Sequence, residues 1–119
     1  MLDRHKVLQI MTNLISNGVY ALSKSNKDEK TLTIIVKELE NDFIQIDVRD
    51  NGIGISEENI TRIFEHGFTT KKKGHGFGLH STALSVNELN GSIKVHSDGV
   101  GKGAAFTIKL PFKKQEATT

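Results

Sequence analysis

Three groups of residues have types and spacings that could do chemistry. Gln9, Asn13 and Asn17 recur every four residues, so in a helix their amides line up on one side. Asparagine is a poor helix former, and two in one helix interior ask for a reason. Amide oxygens suit a hard cation such as Mg²⁺, which takes oxygen ligands and shares itself with substrate phosphates; a solvated face is the plainer reading of the same spacing. The second group is Asp50-Asn51-Gly52-Ile53-Gly54. A bare DNG makes a tight turn, but here an apolar residue sits between glycines and an acid ends the preceding strand. That order suits a pocket floored by backbone, with one carboxylate turned inward. Such a carboxylate accepts a hydrogen bond from an exocyclic amine such as that of adenine, and cannot accept one from a guanine carbonyl. The third group is Gly74-His75-Gly76-Phe77-Gly78, leading into Leu79. Glycines ahead of a helix let backbone N–H groups approach an anion, and the helix terminus adds a favourable dipole.

The third group is neither a P-loop, lacking GK[ST], nor a dinucleotide fingerprint, since no strand directly precedes it. Lys71, Lys72 and Lys73 stand just upstream, and at most one of them, taken as Lys71, is expected to be a direct phosphate ligand. Gly101-Lys102-Gly103-Ala104-Ala105-Phe106 reads first as a hairpin turn entering a strand.

The elements that must position these groups follow from periodicity. Asp3 to Lys24 predicts a helix, with Val7, Leu8, Met11, Leu14, Ile15, Gly18, Val19 and Leu22 on its apolar face. Gly18 lies on that buried side, where a small residue allows close packing on a sheet. Thr31 to Leu39 and Phe43 to Arg49 predict a hairpin turning at Glu40-Asn41-Asp42. A short helix is expected from Ser56 to Phe64, capped by Ser56. Glu65 to Gly78 has four glycines and no periodicity, and reads as a loop. A second helix from Leu79 to Leu89 presents Leu79, Ala83, Val86 and Leu89, and Asn90-Gly91 ends it. Ser92 to Ser97 and Ala104 to Leu110 predict two more strands, followed by a polar tail from 113 to 119. Two helices over one face of a mixed, mostly antiparallel sheet bury these stripes, an α+β two-layer sandwich.

With 119 residues the chain is one domain, and 36% hydrophobic with 25% charged residues supports one modest core. A net charge of +2 is too small to argue for nucleic acid. The absence of cysteine excludes disulfides and thiolate metal sites. No apolar run approaches a membrane span, so a cytoplasmic domain without direct membrane contact is expected, either free or as the cytoplasmic part of a membrane-bound receptor. His66, His75 and His80 fall in or beside the glycine loop, but lack the spacing that would make a zinc site on a helix. His5 and His96 are assigned no function.

Taken together, the order and spacing of the motifs resemble the GHKL superfamily of ATP-binding domains, shared by histidine kinases, type II topoisomerases, Hsp90 chaperones and MutL repair proteins. The likeness runs from about Asp3 to Pro111. Asn13 to Ala21 resembles the N box, DNGIG the first glycine motif, and Ile63-Phe64-Glu65 with Phe68-Thr69-Thr70-Lys71 the F box. GHGFGLH resembles the second glycine motif, and GKGAAF with Leu110-Pro111 the third. The kinase branch is the nearest in kind. Branches that hydrolyse ATP directly or phosphorylate serine usually carry Glu where this chain has Asn13, and an amide lacks the basicity to polarise a nucleophile.

The resemblance implies a Bergerat-type sandwich over residues 1–112 that binds Mg-ATP as a sensor histidine kinase of a two-component system does. Asn17 would ligate Mg²⁺ with Asn13 assisting, and Asp50 would bind the adenine amine. Gly52 and Gly54 would shape the base pocket, while Lys71, Gly74, Gly76, Phe77, Gly78 and Leu79 would lie along the nucleotide. Catalysis would be mainly positioning and charge neutralisation of an in-line phosphoryl transfer. Its recipient would be a histidine on a separate dimerisation domain of the same or a partner kinase, with a response regulator served indirectly. Gly18 stands where the family usually has Ala, and Ala104 where many members have Thr. The strand that normally precedes the N-box helix is missing, and His5, inside that helix, is not taken as the phosphoacceptor. The rival readings are a nucleotide-binding regulatory module without kinase output and a GHKL serine kinase or ATPase.

Overall fold

The computed structural model describes residues 4–65 and 78–112. Along the chain run α1 (Arg4–Ser23), β1 (Leu32–Leu39), β2 (Phe43–Asp50), α2 (Glu57–Ile60), α3 (Gly78–Glu88), β3 (Ser92–His96) and β4 (Ala104–Pro111). The four strands form one sheet in the order β1-β2-β4-β3, and its three pairings are all antiparallel. Both long helices pack on the same side of it: α1 over β2, α3 towards β3, and each against the other. This is the expected two-layer α+β arrangement.

Local sequence explains where the elements stop. Between β1 and β2, Asn41 and Asp42 take left-handed φ values of 66° and 61°, which short polar side chains tolerate better than others. At the end of α3, Asn90 is left-handed (φ 63°). The N–H of Gly91 reaches the Val86 carbonyl at 2.9 Å and that of Asn90 the Asn87 carbonyl at 3.0 Å, the paired bonds of a Schellman cap. The short α2 spans only Glu57–Ile60, with the Ser56 hydroxyl accepting from the Asn59 N–H at 3.2 Å.

The core is built from alternate strand residues. Val48 lies opposite Phe106, Ile46 opposite Ile108 and Ile44 opposite Leu110, while Ile93 and Val95 of β3 continue those rows. Onto them come Ile10 and Leu14 from α1 and Val86 from α3, all fully buried. Phe64 meets Phe106 edge-on, with ring centroids 6.4 Å apart.

Two expectations about the apolar stripe of α1 are corrected. Leu8 and Val19 are 65% and 54% exposed, and Ile10, outside the expected stripe, is fully buried. The helix is rotated and displaced towards α3, so its buried line is Ile10, Leu14 and Gly18. In consequence Ile34 and Val36, on the helix side of the edge strand β1, stay 44% and 63% exposed. On the opposite face of the sheet, Asp47 is only 2% exposed. Its carboxylate accepts from the Thr107 hydroxyl of its cross-strand partner at 2.8 Å and pairs with Arg49 at 3.3 Å.

This burial pattern separates two leucines of one helix. Leu14→Ala should destabilise the domain by about 2–5 kcal/mol, as cavities in packed cores do, whereas Leu8→Ala should change stability by no more than about 0.5 kcal/mol. Urea denaturation midpoints of the two variants check this, and similar shifts for both would contradict the placement of α1.

Candidate functional site

The site is assembled where the loop after β2 meets the end of α1. The N–H of Ile53 donates to the Ala21 carbonyl at 3.2 Å. Gly52 lies so close to this last turn that an added Cβ would stand 2.6 Å from both the carbonyl carbon and oxygen of Ala21. That is closer than any side chain permits, so the approach requires glycine. Gly54 has φ 73°, and a Cβ there would stand 2.1 Å from the Gly99 carbonyl oxygen. It therefore faces the loop that carries Lys102, to which the Gly101 N–H adds a bond onto the Ile53 carbonyl at 2.6 Å. Asn51 anchors the other side, accepting from the Thr31 N–H and donating to the Glu29 carbonyl, both at 2.8 Å.

These contacts bring Asp50 beneath α1. An ideal Cβ on Gly18 would lie 4.0 Å from the Asp50 Cβ and 2.6 Å from a terminal methyl of Leu32. The only tight neighbour is a flexible side-chain tip, so an alanine, the family's usual residue, is accommodated by a small shift of Leu32. Asp50 is half-buried. Burial pushes its carboxyl above the ordinary value of 3.8, outweighing the N–H groups of Gly52 and Ala104 and the charge of Lys27, which pull it down. The Gly52 bond, at 2.8 Å, engages Oδ1.

The amide row sits along the seam between α1 and α3. Lys6 pairs with Glu88, and the Asn13 Nδ2 donates to the Thr82 hydroxyl at 3.1 Å. Rising numbers on α1 meet falling numbers on α3, so the helices run antiparallel. The same register, continued four residues, brings Asn17 level with Gly78 and Leu79, the first turn of α3. There the free N–H groups of a helix start favour an anion. Asn17 is half-buried and has no side-chain hydrogen bond to a described residue, so its amide oxygen is available to a ligand. Gln9, the third member of the row, is exposed.

Of the residues expected in the site, Asn13, Asn17, Asp50 and Gly52 gather around the C-terminal half of α1, Gly54 lies against the 99–102 turn, and Gly78 and Leu79 open α3. Leu79 also packs against the core. Lys71, Gly74, Gly76 and Phe77 lie outside the described residues, as does most of the glycine loop. Two contributors were not expected. Thr82, fully buried, meets Asn13, and the His80 Nδ1 lies 3.0 Å from the Phe64 carbonyl, joining the chain before the glycine loop to the chain after it. A threonine or histidine in the first turns of a helix is unremarkable in sequence, and only the packing gives these two their partners.

A second hollow, of about 140 Å³, lies beside Asp50 among Arg49, His96, Asp98, Lys102 and Ala105. Arg49, Ala105 and His96 are register partners on the face of the sheet away from the helices. It is well below the roughly 300 Å³ at which small-molecule pockets begin, so it is no place for a nucleotide.

Comparison with known proteins agrees with this fold. Residues 2–114 match the family described as histidine kinase-, DNA gyrase B-, and HSP90-like ATPase. A probable C4-dicarboxylate sensor kinase of Halalkalibacterium halodurans is 40% identical over 111 residues, which make up 92% of this chain and 20% of that protein. The sensor histidine kinase ZraS of Salmonella typhi is 38% identical over 109 residues, 92% of this chain and 22% of its own length. The chain thus spans about a fifth of these relatives. Among solved structures, the mycobacterial sensor histidine kinase MprB superposes with a TM-score of 0.83 at 18% identity, covering 97% of this chain and 78% of that one. The catalytic domain of histidine kinase ThkA, in a nucleotide-free form, gives a TM-score of 0.76 at 26% identity, covering 92% of this chain and 69% of that one. With its family match running through nearly every described residue, the chain belongs to the histidine kinase-, DNA gyrase B- and HSP90-like ATPases, as an ATP-binding catalytic domain of the sensor histidine kinase type.

Proposed function

We propose that this domain binds Mg-ATP between the amides of α1 and the first turn of α3, anchors adenine on Asp50, and delivers the γ-phosphate to a histidine on a separate phosphoacceptor domain. The observation that carries the reading is the meeting of Gly18 and Asp50, with 4.0 Å between Cβ positions. It sets Asn17 and the carboxylate on neighbouring walls of one site.

Each residue has a distinct task. Asp50 keeps one oxygen on the Gly52 N–H and offers the other to the exocyclic amine of adenine. Gly52 and Gly54 let the backbone form the wall beside the base, since a Cβ at either would collide with neighbouring backbone. The start of α3 directs N–H groups towards the phosphates. Asn17 has the hard oxygen donor that Mg²⁺ needs, placed at the level of that turn, and Asn13 stands one helical turn behind it. The cation, when bound, neutralises phosphate charge and orients the γ-phosphate for in-line transfer.

Asn13 also bears on the class of reaction. An amide cannot take a proton from water or a serine hydroxyl. Efficient hydrolysis by this domain alone is therefore not expected, and a histidine nucleophile, which needs no such base, fits better. The parent protein is read as a sensor kinase whose catalytic part lies in the cytoplasm, and its histidine passes the phosphoryl group to a response regulator. Among the described residues, no helix is long and apolar enough to cross a membrane.

Incubating the domain with labelled ATP, Mg²⁺ and a cognate histidine-bearing helical hairpin should label the hairpin. The label should be lost in acid, as a phosphoramidate is and phosphoserine is not. Acid-stable label would indicate a serine kinase, and tight ATP binding without label would leave a regulatory binder.

Asp50 gives a pH prediction whose two parts have opposite signs. Adenine contact requires the ionised carboxylate, so nucleotide affinity should fall as pH falls through the folded-state pKa. That pKa is raised above 3.8, so the loss begins at a higher pH than for an exposed aspartate. Stability runs the other way. A folded pKa above the unfolded one means the group favours folding below the unfolded pKa, and that advantage is lost as pH rises through the folded value. At neutral pH Asp50→Asn should thus leave the melting temperature unchanged or raise it. It keeps an acceptor for the Gly52 N–H but sets an NH₂ against the adenine amine, a mismatch of about 1–3 kcal/mol, or roughly five- to 150-fold in affinity. Calorimetric titration beside a thermal melt reads both, and an unchanged affinity would remove Asp50 from the site.

A further inference from the structure

We propose that Thr82 is a positioning residue for phosphoryl transfer, holding the Asn13 amide so that its oxygen, and not its nitrogen, is presented on the cation side. The inference rests on the Mg-ATP site proposed above and adds a residue to it.

Thr82 is fully buried in α3, and its hydroxyl receives the Asn13 Nδ2 at 3.1 Å across 69 residues of sequence. A side-chain amide has two nearly isosteric ends, a carbonyl acceptor and an NH₂ donor. Left alone in a polar site it can turn over at little cost. The two orientations differ greatly to a cation, since one offers an oxygen lone pair and the other the positive end of two N–H bonds.

A threonine hydroxyl could in principle bond either end. Inside a helix, however, threonine commonly gives its proton to a carbonyl one turn back. That leaves the oxygen only as an acceptor, and an acceptor selects the NH₂ of Asn13. The nitrogen is thereby committed to α3, and Oδ1 takes the other corner of the amide. Two further contacts keep α3 at the right height for this bond. Lys6 ties to Glu88 at the far end of the seam, and the His80 ring holds the Phe64 carbonyl two residues before Thr82.

The test compares wild-type protein with Thr82→Val, which keeps shape and burial but removes the hydroxyl, and with Thr82→Ser, which restores it. ATP affinity is measured by calorimetry with Mg²⁺ and again with a chelator. In wild type, Mg²⁺ should tighten ATP binding. In Thr82→Val that Mg²⁺-dependent gain should shrink about three- to tenfold while chelator affinity stays put, and Thr82→Ser should recover it. Equal Mg²⁺ gains in wild type and Thr82→Val would overturn the proposal, as would a loss of the same size with and without Mg²⁺, which marks a merely structural role.

A wild type that binds ATP with no Mg²⁺ dependence would instead overturn the cation site on which the inference rests. Should the valine variant fail to fold, nuclear magnetic resonance of the Asn13 side-chain amide in the wild-type domain decides. Slowly exchanging Nδ2 protons, shifted by a hydrogen bond, accelerated in Thr82→Ala and kept slow in Thr82→Ser, support the role. Fast, solvent-like exchange in wild type refutes it.

Discussion

The structure depends on a contact that leaves no room for a side chain. At Gly52 the loop after β2 presses onto the carbonyl of Ala21, where any Cβ would stand 2.6 Å away. Without that approach the sheet and α1 would separate by the thickness of a side chain at the very place where Gly18 comes down on Asp50. The Ile53 to Ala21 hydrogen bond then turns proximity into fixed register. Gly54 does the same on the other side, locking the loop against the 99–102 turn. Two chemistry-bearing elements are thus joined through backbone, the least deformable part of the chain.

That join sets a cost elsewhere in the fold. With its C-terminal turn fixed over the end of β2, and its seam with α3 fixed by Asn13–Thr82 and Lys6–Glu88, α1 reaches Leu32 at the start of β1 but not the rest of that strand. Ile34 and Val36 remain exposed on the helix side of that strand, and Leu8 and Val19 remain exposed on the helix. A helix placed for burial alone would lie between β1 and β2. Its actual position gives up apolar area, worth about 25 cal/mol per Å², while Asn13 meets Thr82 of α3.

How far the sequence could be read follows from the same geometry. Local periods gave the seven elements to within a residue or two, except α2, where four of nine expected residues, 61–64, are turn and Ser56 is the cap. The four-residue spacing of Asn13 and Asn17 marked one line of α1, because that regularity lies within one helix. The rotation of the helix was not legible. Period fixes which residues share a line, but neighbours distant in sequence fix which line is buried, and so Ile10 was missed and Leu8 and Val19 were misplaced. Thr82 and Asp47 were invisible for the same reason: their partners lie 69 and 60 residues away. The close approaches at Gly52 and Gly54, by contrast, were legible, since glycine spacing after a strand states where backbone must come close.

Two aspartates on β2 show how environment, and not residue type, separates structure from function. Asp47 and Asp50 are three residues apart, so they point to opposite faces of the sheet. Asp47 is the more deeply buried, yet its oxygens are taken up by Thr107, Gln45 and Arg49. Its charge is compensated within the protein, and nothing further is required of it. Asp50 is less buried, but its close partners are backbone N–H groups, and desolvation still outweighs them. The fold would be at least as comfortable with a neutral residue there. A carboxylate held against its own desolvation, without a cationic or hydroxyl partner in contact among the described residues, has its natural complement in a further hydrogen-bond donor. The amine of adenine is a donor of that kind, and it is the complement proposed for Asp50.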